Sequence, residues 1–196
     1  MTNPRKSVLA AVAAALSLAA CSPITLAPAG AYAVGGKSPT VTLDRPWNDM
    51  TALWLQRSKK ARLLTLDGPE LNRLYLTEGL VEGDYIVRPA RRESTTPIYA
   101  DGMSVTEQVE FVTDSVTALG YERVSTSGVR PVEIAGVRAV RFSLEARTTD
   151  GLEIKGIGQI LKREGKVYVA VYLAPAEHYF EATRGSAEAA MSALAF

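Results

Sequence analysis

Residues 167–174 constrain the fold more than any other part of the chain. Successive side chains of a strand point to opposite faces, and here both faces are largely apolar. One face would carry Val167, Val169, Val171 and Leu173, and the other Tyr168, Ala170, Tyr172 and Ala174. A strand that is apolar on both faces belongs in the middle of a sheet, with a layer above it and another below it. The sequence therefore predicts an α+β domain with this strand near its centre.

The remaining strands are predicted to form an antiparallel sheet around that centre. Residues 61–66 and 72–80 predict a hairpin, because Asp67, Gly68 and Pro69 between them favour a tight turn. Alternating patterns predict further strands at 121–127, 129–134, 140–146 and 152–161. The order of these segments favours a meander.

Two segments predict helices. Ser104 and Glu107 have the spacing of a capping box, and apolar residues follow at helical intervals until Gly120. After Pro175, residues 177–194 form an alanine-rich amphipathic pattern whose buried stripe would be Phe180, Thr183, Ala187, Ala190, Met191 and Leu194. The predicted fold is a single domain, an antiparallel meander with a helix on each face, that is, an α/β/α sandwich.

Residues 1–20 have the form of an export signal. Arg5 and Lys6 precede an unbroken run of small apolar residues from 8 to 20, which is shorter than the about 20 residues of a membrane-spanning helix. The run ends in Leu18-Ala19-Ala20-Cys21, which resembles the lipobox of bacterial lipoproteins. The resemblance implies cleavage before Cys21, a diacylglyceryl group on its thiol, and acylation (palmitate or a similar chain) of the new amine.

Two other interpretations of the N-terminus remain open. The apolar run could stay uncleaved as a membrane helix, or ordinary secretion could cleave after Ala33, where Ala31-Tyr32-Ala33 fits the small-x-small rule. In lipoproteins of Gram-negative bacteria an Asp after the cysteine often retains the protein at the inner membrane. Ser22 stands there instead, and the resemblance therefore implies the outer membrane, on its periplasmic face.

The predicted organisation has three parts: a signal peptide at 1–20, a lipidated cysteine with a tether at 21–39, and a globular domain at 40–196. The tether prediction rests on the Pro, Ala and Gly content of residues 22–39, which carry one charge, Lys37. A flexible chain of that length would reach roughly 20–25 Å on average.

Composition excludes several classes of function. The chain has one cysteine, the candidate lipid attachment site, so the domain offers neither a disulfide framework nor a free thiolate nucleophile. Its one histidine removes most histidine-based catalytic and zinc sites. Without Arg5 and Lys6 the 22 basic residues become 20, against 21 acidic residues, and this balance gives no broad electrostatic case for nucleic acid.

Three groups of residues are candidate sites. A basic group that could attract lipid headgroups or other anions comprises Arg57, Lys59, Lys60 and Arg62, and a polar loop adds Arg88, Arg91 and Arg92. The alternative for both is an ordinary solvated surface or the guarding of an edge strand. His178 with Glu177 and Glu181 could begin a metal site, although acids near a helix start are favoured by the helix dipole alone.

The order of elements from about residue 61 to 196, and the strand-proline-helix unit at 167–194, resemble the PsbP-like fold. Members of that family are mostly exported or lumenal accessory factors rather than enzymes. The resemblance implies a binding or assembly role with a protein partner in the cell envelope, without catalysis or cofactor. The alternative is an exported enzyme, or a protein that binds a metal or small ligand, centred on His178.

Overall fold

A computed structural model of the protein describes residues 24–89 and 95–196. It contains ten strands, two α-helices and a 3₁₀ turn at Thr51–Leu53. The strands are β1 Thr25–Ala27, β2 Gly30–Ala33, β3 Thr40–Leu43, β4 Trp47–Asp49, β5 Ala61–Thr65, β6 Arg73–Thr77, β7 Glu122–Ile134, β8 Val137–Arg147, β9 Glu153–Arg163 and β10 Lys166–Pro175. The helices are α1 Val105–Ala118 and α2 Tyr179–Ser192.

Eight of these strands form one antiparallel sheet in the order β1-β4-β5-β6-β10-β9-β8-β7, and β2 pairs with β3 separately. The predicted hairpin is present, since β5 and β6 pair from Ala61 opposite Thr77 to Leu64 opposite Leu74. The strands β7 to β10 follow one another as the predicted meander. The α+β class and the antiparallel sheet are therefore confirmed.

β10 lies inside the sheet, between β6 and β9, as its two apolar faces predict. Val167, Val169, Val171 and Leu173 belong to one cluster of buried residues, which also contains the buried side of α1. Ala170, Tyr172 and Ala174 belong to a second cluster, together with the buried side of α2. Successive side chains of β10 thus alternate between the two clusters.

The two helices begin and pack as their sequences indicate. At the start of α1, the Glu107 backbone N–H donates to Ser104 Oγ (3.3 Å) while the Ser104 N–H donates to the Glu107 carboxylate (2.7 Å). All six residues of the predicted α2 stripe are buried. The Tyr172 hydroxyl bonds to Thr183, and its ring stacks on Phe180 with 5.8 Å between centroids. Among the described residues, no helix is long and apolar enough to cross a membrane.

The N-terminal boundary of the domain differs from the prediction. Residues 24–39 were predicted to belong to a tether, but β1 pairs with β4, and β2 pairs with β3. Ala27 and Val34 are buried in the same cluster as Trp47. Backbone pairing does not require alternating apolar side chains, and small residues pack closely, so a segment rich in alanine and glycine can still form sheet edges. Of the predicted tether, only residues 21–23 lie outside the described part of the chain.

The strand at the other edge of the sheet also differs in detail. Two strands were predicted between residues 121 and 134, and the structure has a single strand, β7, with register shifts between Glu122 and Ser125 and between Ser127 and Arg130. Gly128 has φ +61° at the second shift, where a side chain would be strained. A glycine inside the pattern therefore marks an irregularity in one strand and not the end of a strand.

Candidate functional site

The predicted basic residues are close in sequence but differ in what they contact. Arg57 braces the chain locally: its Nε donates to the Thr51 carbonyl (2.9 Å) and its Nη1 to the Ser58 carbonyl (3.1 Å). Its backbone forms a bridge with Val87, and the Arg88 N–H donates to the Gln56 carbonyl (2.9 Å). The structure thus places Arg88, from the predicted polar loop, beside residues 56–58, so the two predicted basic groups are neighbours in the fold.

Two further cations of this group are paired within the domain. Lys60 Nζ lies 2.6 Å from the Asp84 carboxylate. Arg62 donates to the Lys59 carbonyl (3.0 Å) and lies 3.7 Å from Glu78. Lys59 is exposed, and its ammonium has no partner among the described residues. Lys59 is therefore the cation of this segment that is most available to an external anion.

The remaining predicted residues fall into two sets. Arg88 is exposed, and its guanidinium lies 4.8 Å from the centroid of the Tyr85 ring. Arg91, Arg92 and the predicted lipidation site, Cys21, lie outside the described residues. Arg88 is thus the member of the loop group whose surroundings can be examined.

His178 lies at a strained turn before α2. Its φ and ψ are 64° and −61°, and the Tyr179 N–H donates to the Glu177 carbonyl (2.7 Å), which closes a γ-turn around His178. The ring is exposed and contacts Tyr179 edge to face, at 5.2 Å between centroids. Among the described residues, no group of three or more His, Cys, Asp or Glu side chains could hold a metal ion. The observed role of His178 is to form this turn.

A cleft of about 240 Å³ lies over β5 and β6. The segment around the 3₁₀ turn forms one side, and the C-terminal end of α1 forms another. Val87, which forms the backbone bridge with Arg57, and Arg88 form a third side. Most of its wall is apolar: Met50, Leu53, Trp54, Leu63, Pro69, Val87, Ala118 and Leu119. The cleft is thus built from several separate segments of the chain.

Two aromatic side chains and a guanidinium shape the interior of this cleft. The Trp54 and Tyr75 rings meet edge to face, with 5.0 Å between centroids. Tyr75 is buried, and burial, helped by the neighbouring Tyr121, raises the pKa of its hydroxyl. Arg73 donates from Nε to the Pro69 carbonyl and lies 5.7 Å from the centroid of the Tyr121 ring. Burial alone would lower the pKa of Arg73, but its interactions with the two tyrosines outweigh this, and its pKa is raised.

The chemistry of the cleft suits binding. Its polar lining consists of Gln56, Arg73, Tyr75 and Arg88. The described lining holds no carboxylate, imidazole, thiol or serine, which are the usual nucleophiles and general bases. Tyr75 with its raised pKa stays protonated at neutral pH, so it is suited to hydrogen bonding and not to proton abstraction. The Arg73 guanidinium already lies 3.5 Å from the Glu70 carboxylate. The exposed Arg88 guanidinium beside an apolar wall therefore favours a ligand that carries both an apolar group and a negative charge.

Only partial signals of this cleft are present in the sequence. The large apolar side chains of Trp47, Leu53 and Trp54 predict packing against the core, and Trp47 is fully buried. Leu53 is 47% exposed and Leu55 is 88% exposed, so the prediction for Leu53 is wrong. The 3₁₀ turn directs Leu53 toward the cleft mouth rather than into the core. The signal available in the sequence was the run Leu53-Trp54-Leu55, since three consecutive apolar residues outside a regular element suggest a functional surface.

No family model matches this chain, and no curated protein matches its sequence. Among solved structures, the fold is similar to that of the Ran-binding protein Mog1p of Saccharomyces cerevisiae, with a TM-score of 0.50, 10% identity, and coverage of 80% of this chain and 82% of that one. It is also similar to CyanoP, the cyanobacterial PsbP of Synechocystis (TM-score 0.43, 13% identity, 87% and 91% covered). LpqN of Mycobacterium tuberculosis, involved in cell envelope biogenesis, gives a TM-score of 0.37 at 12% identity, with 86% and 88% covered. At 10% identity, the likeness to Mog1p concerns the fold alone.

Proposed function

We propose that this protein is a lipid-anchored, non-catalytic binding module of the cell envelope, and that it binds a segment of a partner protein in the cleft. The observation that carries the proposal is the composition of the cleft. An aromatic and aliphatic wall, with Leu53 exposed at its mouth, lies beside two guanidiniums, while the usual catalytic groups are absent from the described lining.

The size and charge of the cleft define the partner segment. A volume of about 240 Å³ is below the roughly 300–1,000 Å³ of typical small-molecule sites, and it suits one or two side chains of a peptide. Arg88 at the edge of the cleft would pair with a carboxylate of the same segment. The segment is therefore apolar with an adjacent acid. Mog1p, a protein of similar fold, is described as Ran-binding, so protein binding is compatible with this scaffold.

The lipid anchor is supported by the extent of the fold. Cleavage after Ala33 would remove β1 and β2, which pair with β4 and β3. Cleavage before Cys21 keeps both strands in the mature protein. Of the two cleavage sites, the one before Cys21 is thus the one that leaves the described domain intact, and Ser22 favours the outer membrane on its periplasmic face. We also propose that the domain is an α/β/α sandwich, in which α1 and α2 cover opposite faces of the sheet.

The test of cleft binding is a photocrosslink from the cleft mouth in native envelopes. A benzoylphenylalanine at position 53 is expected to give one discrete protein adduct, whereas the same group at Leu152, an exposed leucine in a distant turn, is not. Arg88→Glu should lower the adduct yield about tenfold, because one charge-assisted contact of about 1.4 kcal/mol corresponds to that factor.

Arg138→Glu is the matched control, since Arg138 is exposed on β8 and does not line the cleft. The proposal predicts that this variant crosslinks as the wild type does. Equal adducts at positions 53 and 152, or equal losses with Arg88→Glu and Arg138→Glu, would contradict binding in the cleft.

A further inference from the structure

The chain enters the fold at a defined end of the sheet. β1 and β4 are antiparallel, with Thr25 opposite Asp49. Residues before Thr25 therefore leave the sheet at the end where β4 runs on into the 3₁₀ turn. The Met50 N–H donates to the Leu63 carbonyl (2.9 Å), so the start of β5, just after Lys59, lies at this same end.

The distance between the proposed anchor and this end of the domain is short. Cys21 precedes Ile24 by three residues, and three Cα–Cα steps span at most about 11 Å in any conformation. The predicted tether would have allowed the domain to reach well away from the bilayer. Because residues 24–39 belong to the fold, the domain has no such freedom.

Two exposed leucines lie on the elements at this end of the sheet. Leu26 lies on β1, the outermost strand of the sheet on this side, and is 66% exposed. Leu55, just beyond the 3₁₀ turn, is 88% exposed. Exposed apolar side chains on a sheet edge and a neighbouring loop are a liability in water unless another surface covers them.

Within the described part of the chain, this end of the sheet presents one cation, Lys59, that is free to contact an anionic lipid surface. Residues 50–66 contain four Lys or Arg and no Asp or Glu. Arg57, Lys60 and Arg62 bond within the domain, whereas Lys59 is exposed and without a partner among the described residues. A basic residue beside apolar side chains is the combination by which proteins lie on anionic membranes.

We infer that Leu26, Leu55 and Lys59, here called the anchor edge, lie directly against an anionic bilayer leaflet. The inference rests on the proposed lipid at Cys21 and deepens it: the protein is oriented on the membrane and does not swing on a tether. The leucines enter the headgroup region and Lys59 pairs with lipid phosphate.

The test uses the full mature lipoprotein in vesicles of phosphatidylethanolamine and phosphatidylglycerol. A single NBD fluorophore is attached at Leu55→Cys or at Leu152→Cys, because a lipidated Cys21 has no free thiol. Leu152 is also an exposed leucine, but it precedes β9 at the opposite end of the sheet, where Ile154 lies opposite Pro175. Quenching by lipids that carry a nitroxide near the headgroup is expected to be roughly threefold or more stronger at position 55, since interfacial segments lie about 5–10 Å deep.

The outcomes separate this inference from the proposed function. Equal quenching at positions 55 and 152 of a lipidated protein overturns the anchor edge and leaves binding in the cleft untouched. An unlipidated Cys21 in protein from native envelopes overturns the proposed anchor, and the inference with it. Stronger quenching at position 55 supports membrane apposition whatever the crosslink at position 53 gives.

Discussion

The position of β10 can be tested by shortening or charging one side chain, Val171. It is 3% exposed, lies between Tyr75 of β6 and Gly158 of β9, and belongs to the cluster that contains α1. Val171→Ala removes two methyl groups, which at about 0.8 kcal/mol each, plus a cavity term, should lower the free energy of unfolding by about 2–3 kcal/mol. Val171→Asp leaves an unpaired buried charge and should cost about 4 kcal/mol or more.

The assay is urea unfolding followed by tryptophan fluorescence, with thermal melts beside it. For a domain of this size, each kcal/mol corresponds to roughly 2–4 °C, so Val171→Ala should melt about 4–12 °C below the wild type. Lys166→Ala is the control: Lys166 is exposed at the start of the same strand, and its loss should change stability by less than about 0.5 kcal/mol. A Val171→Asp protein as stable as the wild type would refute the central placement of β10.

Two more substitutions test local structure. Asn72→Ala should lower the free energy of unfolding in urea by about 2–4 kcal/mol. The buried Asn72 Oδ1 accepts from Thr65 Oγ1 (2.9 Å) and from the Leu66 N–H (2.6 Å), and both donors would lose this acceptor. An unchanged unfolding midpoint would contradict this prediction. His178→Gly should raise stability by up to about 2 kcal/mol, since relief of about 1–3 kcal/mol of backbone strain exceeds the about 0.5–1 kcal/mol entropic cost of glycine. His178→Ala keeps the strain and should retain the fold, so equal melting of the two His178 variants would argue against strain at this turn.

The elements that the sequence predicted correctly are those whose signals are local. The two apolar faces of residues 167–174 and the spacing of Ser104 and Glu107 each specify an environment through neighbouring residues alone. The central strand and the capped start of α1 follow from them. A periodic pattern or a capping motif predicts structure correctly because the groups that interact lie within a few residues of one another in the sequence.

The features that the sequence did not predict depend on distant partners. Residues 24–39 carry no alternating pattern, and their order comes from pairing with β4 and β3. The cleft combines segments near residues 50–56, 69–75, 87–88 and 118–119, and no one of these indicates a pocket by itself. The partial burial of Arg57, Lys60 and Arg62 likewise depends on carbonyls and acids that only the tertiary fold brings close.

The most direct test of the proposed lipid-anchored module is the intact mass and N-terminal sequence of the mature protein from its native envelope. The account predicts a chain that begins at Cys21 and carries a diacylglyceryl group and an amide-linked acyl chain. It also predicts that Cys21→Ser accumulates as the unprocessed precursor, which keeps residues 1–20. An unmodified N-terminus at Val34 would contradict the account, because it would show ordinary secretion of a protein that lacks both the anchor and the strands β1 and β2.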